Sequence, residues 1–121
     1  MTELANTMTP REIASQAVEA IRALNHLTYG GGELGSPDEV RDIIASLGLV
    51  GQGLPQLCEQ LARFLVAAQE DGQVRHGSGA DPDLSVTEVM EALTAAGQAA
   101  DMMTAALEEA HNAATELRRA R

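Results

Sequence analysis

Three histidines, a single cysteine and 18 acidic residues are the side chains with which this 121-residue chain could do chemistry. Their spacing narrows the choice. There is no His-x-x-x-His and no cysteine pair, the two-ligand spacings by which a metal site most readily shows in a sequence. His26 and His111, with Glu33, would meet only if the C-terminal ends of two different helices lay together. A histidine near a helix C-terminus has a simpler role in offsetting the helix dipole. Glu108 and Glu109 are neighbours on a helix and diverge, while Glu88 and Glu91 suit an exposed first turn. His76 and Ser78 stand in a polar, Gly-rich stretch with no nucleophile elbow around them. Gly30-Gly31-Gly32 follows a helical pattern and not a strand, so it reverses the chain; it is not a phosphate cradle. Cys58 has no disulfide partner in the chain and falls on an apolar stripe, where a thiol behaves as a small hydrophobe. These patterns assign no catalytic residue, no cofactor and no metal ligand, and they point to a protein that is not an enzyme.

The elements that must position these residues are helical. Ala, Leu, Val and Met supply nearly all the apolar content, with one Phe, one Tyr and no Trp. That composition favours helices over sheets. Thr9-Pro10-Arg11-Glu12 combines an N-cap, a proline at the first helical position and a Glu at the third, and it opens a helix over about 10–28 that ends at the glycines after Tyr29. Ser36-Pro37-Asp38-Glu39 repeats the device. From there Val40, Ile44, Leu47, Gly51, Leu54, Cys58, Leu61, Leu65 and Ala68 recur at steps of four and three, and Ile43, Val50, Leu57 and Phe64 run beside them. Gly48, Gly51, Gly53 and Pro55 read locally as a break, yet the stripe keeps its phase across them. The pattern therefore predicts one helix over 37–70, kinked near Gly51 and Pro55. A polar loop, 72–84, follows. Ser85-Val86-Thr87-Glu88 reads as a capping box for a third helix over 85–118, with Val89, Leu93, Ala96, Ala100, Met103, Leu107, Ala110, Ala114 and Leu117 on one row. Arg118, Arg119 and Arg121 complement its negative end.

The fold class is all-α: one domain, 1–121, with a short N-terminal helix and a long antiparallel hairpin in a three-helix bundle. The first helix is about 28 Å long against about 50 Å for the second. It can cover only half of the hairpin, and the other half bears Leu57, Cys58, Leu61, Phe64 and Leu65, with Val89, Met90 and Leu93 opposite. An apolar patch of that extent calls for a partner. A second copy, pairing hairpins into a four-helix core, is the economical one, and a different protein with an apolar helix is the competitor.

The formal net charge is −10, with eight basic residues, all Arg. Such a balance repels phosphate backbones and anionic membranes, which argues against direct nucleic-acid binding. It suits a basic protein surface, as an acidic binding module or nucleic-acid mimic would. No apolar run reaches the length of a membrane span, and the first ten residues lack the pattern of a signal peptide, so a cytoplasmic location is expected.

Two resemblances accompany this reading. Tyr29-Gly30-Gly31-Gly32-Glu33 has the form of the Tyr-x-x-x-Asp/Glu signal of small paired-helix proteins exported by actinobacterial type VII systems, which the chain resembles in acidity, alanine content and long antiparallel helices. Their Trp-x-Gly turn is absent, and Tyr29 closes the first helix and not the last. The resemblance implies an exported hairpin protein as an alternative. More broadly, Ala23-Leu-Asn-His-Leu-Thr-Tyr29, Leu54-Pro-Gln-Leu-Cys-Glu-Gln-Leu61 and Ala106-Leu-Glu-Glu-Ala-His-Asn112 resemble segments of small uncharacterised helical proteins of filamentous actinobacteria, some encoded near plasmid-transfer or mobile-element genes. That resemblance covers most of the chain, rests on no specific motif, and implies an accessory role without an activity.

Overall fold

A computed structural model describes residues 7–118 and 120. Helix α1 spans Pro10–Thr28, α2 spans Pro37–Glu70 and α3 spans Asp83–Ala114, and no strand occurs among the described residues. None of these helices is long and apolar enough to cross a membrane. The chain divides into two compact units between Ser36 and Pro37.

In the first unit, α1 starts as the Thr9-Pro10 pair dictates. The Thr9 hydroxyl accepts from the Glu12 N–H at 3.1 Å, and the Glu12 carboxylate accepts from the Thr9 N–H at 3.3 Å. Both halves of the capping box are thus formed. The helix ends in a 3-10 turn over Tyr29–Gly31, where Gly30 and Gly31 take positive φ of 61° and 85°. Gly32 is required for a different reason. A Cβ there would lie 2.5 Å from the Leu27 carbonyl oxygen, next to the point where the Glu33 N–H donates to that same oxygen at 2.8 Å.

In the second unit, α2 runs unbroken through Gly48, Gly51, Gly53 and Pro55. Helical phase outweighs local breaking tendency here, and one of the glycines, Gly51, is a packing residue. Gly48 and Gly51 are buried, and Gly51 lies against Thr104 and Met103 of α3. Pro55 in turn packs against Gly97, whose Cβ position is 3.5 Å from the Pro55 Cα. These pairings, with a hydrogen bond from the Gln69 amide to the Asp83 carboxylate, set the two helices antiparallel. The seam between them is built of small groups: Gly48, Gly51 and Ala68 are the buried residues of α2, and Gly97, Ala100 and Ala114, with Val86, those of α3. Side chains of that size let two backbones approach toward the short end of the usual 8–10 Å. The Thr104 hydroxyl, which faces Gly51, is satisfied within its own helix by donating to the Ala100 carbonyl at 2.8 Å.

The ends of the hairpin correct two expected boundaries. α2 stops where Asp71-Gly72 predicts: Gly72 has φ of 72°, its N–H donates to the Gln69 carbonyl, and the Gln73 N–H donates to that of Ala68. That is a Schellman ending. The third helix, however, begins at Asp83 and not at Ser85. The Asp81 carboxylate accepts from the Asp83 N–H at 2.9 Å, and Pro82 already has helical angles of −74° and −9°. Pro82 itself opens the helix, its carbonyl accepting from the Val86 N–H at 2.9 Å, with Asp81 supporting the start from one position ahead and no side-chain cap, and Ser85 falls inside the first turn. At the other end the helix stops at Ala114 and does not reach 118. The Thr115 hydroxyl bonds the Asn112 carbonyl at 2.6 Å, and the Arg118 guanidinium reaches back to the carbonyls of Thr115 and Leu117. The basic complement to the helix end is present in Arg118, while Arg119 and Arg121 lie outside the described residues.

Two stability measurements follow, each at fixed protein concentration. Gly53 has open space around its Cβ position, whereas a Cβ on Gly51 would lie 2.4 Å from the Thr104 Oγ1. In urea denaturation Gly53→Ala should stabilise by about 0.5–1 kcal/mol through helix propensity. Gly51→Ala should destabilise, because overpacking of about 1–3 kcal/mol exceeds that gain; stabilisation by both would refute the tight seam. Asp81→Ala, which removes the acceptor for the Asp83 N–H, should cost about 0.5–1.5 kcal/mol, and Ser85→Ala clearly less; the reverse order would make Ser85 the residue that caps the helix.

Candidate functional site

The loop between α2 and α3 does bring a serine and a histidine together. The Ser78 hydroxyl lies 2.7 Å from His76 Nδ1, and the Ser78 N–H donates to the same nitrogen at 3.1 Å. With Nδ1 accepting a backbone N–H, the imidazole serves as a turn cap, and the Gly79 N–H closes that turn on the His76 carbonyl at 3.0 Å. Ser78 Oγ in turn accepts from the Ala80 N–H. Both residues are exposed, and among the described residues nothing bonds to the other ring nitrogen, so the imidazole lacks the orienting third group of an activated nucleophile. Elsewhere, no three His, Cys, Asp or Glu side chains gather as a metal-ligand set among the described residues.

The surface of the hairpin is more informative, because its two broad faces differ in chemistry. With Gly51 and Cys58 at the seam, helical geometry places Leu47, Val50, Leu54, Leu57, Leu61 and Phe64 of α2 on one side. From α3 the same side receives Val89, Ala92, Ala96, Ala99, Met103, Ala106 and Ala110. None of these residues is charged or polar. The α2 half is a ridge of large side chains and the α3 half mainly a trough of alanines. The ridge is open: Leu57 is 48% exposed, Leu61 52% and Phe64 74%.

The opposite side holds a groove of about 610 Å³. Its floor includes Pro55, Cys58, Ala62, Val66, Leu93 and Gly97, and its lips carry Glu59, Arg63 and Glu70 from α2 and Gln98 and Asp101 from α3. A smaller hollow of about 250 Å³ continues along this face, with Gln52, Glu108 and His111 at its edges. All the charged side chains of the middle of α2, Glu59 and Arg63, are on this side, paired with each other.

The eight residues expected to form an interface are thereby divided. Leu57, Leu61, Phe64 and Val89 stand together on the apolar face. Cys58, Met90 and Leu93 line the groove behind it, and Leu65 is half-buried near the seam. Cys58 is a free, half-buried thiol. Sequence periodicity misses the groove because half of its floor, Ala62, Val66 and Gly97, falls one position after the apolar stripes and looks like ordinary helix filler. The signal that could reveal it is Gly97, a glycine within an alanine-rich helix, set level with Pro55 once α2 and α3 are paired. Comparison with known proteins finds no matching family model, no matching curated protein and no matching solved structure.

The Ser78 geometry makes a direct prediction. A fluorophosphonate reagent should leave the protein unlabelled by intact mass spectrometry; stoichiometric labelling that Ser78→Ala abolishes would identify an activated serine.

Proposed function

We propose that this chain is a non-enzymatic helical interaction protein with an accessory role, working as a homodimer whose copies meet on the apolar face of the hairpin. The observation that supports this reading is the charge-free ridge with Phe64 at its end, 74% exposed on a chain of net charge −10. Two copies of so acidic a chain repel one another on most of their surface, and contact costs least where neither brings a carboxylate. The ridge and trough also make the face complementary to itself. A two-fold axis parallel to the helices would set the ridge of each copy over the alanine trough of the other, with every neighbouring pair of helices antiparallel. Since α2 and α3 run side by side with Gly51 level with Thr104 and Pro55 level with Gly97, Leu57 would come over Ala96 of the second copy and Leu61 over Ala92. Fully covering a Leu or Phe contributes about 1.5–3 kcal/mol each, enough over several residues to offset the cost of association.

Sedimentation equilibrium at micromolar concentration should return twice the chain mass of 12.7 kDa. Leu57→Asp and Phe64→Asp should each shift the mass toward one chain with the helical circular-dichroism signal intact. A wild-type monomer at every concentration, or a dimer that both variants leave unchanged, would overturn the proposal.

A further inference from the structure

The groove on the other side of the hairpin takes no part in that pairing, and its chemistry differs from that of the ridge. It extends from Pro55 to Glu70 along α2, about 22 Å at 1.5 Å per residue, or four helical turns. Gly97 and Ala62 keep its floor low, so a third helix can approach α2 and α3 at the 8–10 Å of ordinary helix packing. Val66 and Leu93 supply apolar contact along the floor. The lips are acidic. Glu59, Glu70 and Asp101 face the groove against one cation, Arg63, which is committed to an ion pair with Glu59. Glu70 and Asp101 have no ion-pair partner among the described residues. Because Glu70 is on α2 and Asp101 on α3, negative charge borders the groove on both sides and toward both ends.

We infer that this groove is a docking site for one amphipathic α-helix of a partner protein, four turns long, with Lys or Arg flanking its apolar stripe. An apolar stripe of small and medium side chains fits the floor, and basic flanks place cations opposite Glu70 on one lip and Asp101 on the other. A second copy of this chain, at net charge −10, is the wrong sign for these lips, and so is a nucleic acid. The site lies behind the dimer face, so its occupation is independent of the pairing through Phe64.

The test uses the full chain and two labelled 16-residue helical peptides read by fluorescence anisotropy. Both carry the same Leu/Ala stripe; one has Lys on the flanks, the other Glu. The Lys peptide should bind about tenfold or more tightly than the Glu peptide, and the preference should shrink as salt rises. Glu70→Lys with Asp101→Lys should abolish the preference. Ala67→Trp, which fills the groove from an exposed position without touching the seam, should abolish binding of the Lys peptide, and Phe64→Asp should leave it unchanged. Circular dichroism of each variant confirms that it is folded. Failure of the Lys peptide to bind, equal binding of both peptides, or binding lost in Phe64→Asp but retained in Ala67→Trp would each overturn the site. The last result would assign peptide binding to the ridge.

Discussion

The close approach of α2 and α3 is the constraint on which the rest of the second unit depends. Gly51 sits against Thr104 and Gly97 against Pro55, with Ala68, Ala100 and Ala114 along the same line. Where these small groups meet there is no room for Leu or Phe between the backbones, and half-buried leucines flank the line of contact. The large apolar side chains of α2 are therefore held beside the seam, where the neighbouring helix covers them only in part. In a hairpin joined by interdigitated leucines these side chains would be spent holding the two helices together. Here glycine and alanine do that, and the leucines remain available to another molecule.

The same geometry sorts charge. Once the seam is fixed, period alone decides on which side every other residue falls. Glu59 and Arg63 of α2, with Asp101 and Glu108 of α3, fall beside the grooved face. The ridge receives none. A chain of this acidity thus presents one surface on which like charges do not meet and one bordered by unpaired carboxylates. The two are separated by the thickness of a single helical layer, so the proposed self-association and the proposed recognition of a basic partner would not compete for residues.

Much of this architecture is legible in the residues. Thr9-Pro10 and Ser36-Pro37 mark two helix starts because a capping side chain followed by a ring with fixed φ leaves little conformational choice. Asp71-Gly72 marks an end for the complementary reason, that Gly72 alone takes the required positive φ cheaply. The third start is obscured by competition. Ser85 and Glu88 satisfy the capping-box pattern, but the helix has already opened at Pro82, with the Asp81 carboxylate holding the Asp83 N–H. The continuity of α2 is readable from phase, since a break would not preserve it. The division into two faces is harder to see. The four-three row on α3 mixes Ala100, at the seam, and Leu93 and Leu107, beside it on the grooved side, with face residues such as Ala96, Met103 and Ala110. Only the pairing of Gly51 with Thr104 fixes the rotation that separates them. The groove depends on both helices at once, so no periodicity within either one discloses it.

Phe64 offers the most direct measurement of the central claim, because it is the only phenylalanine in the chain. Incorporating 4-fluorophenylalanine gives a single 19F resonance at the end of the ridge, and its shift between H2O and D2O reports contact of that ring with solvent. If two copies cover the ridge, the solvent isotope shift is small at micromolar to millimolar concentration and grows on dilution through the dimer dissociation constant. A ring that shows the full isotope shift at every concentration, as expected for the 74% exposure of Phe64 on a single hairpin, would contradict the account.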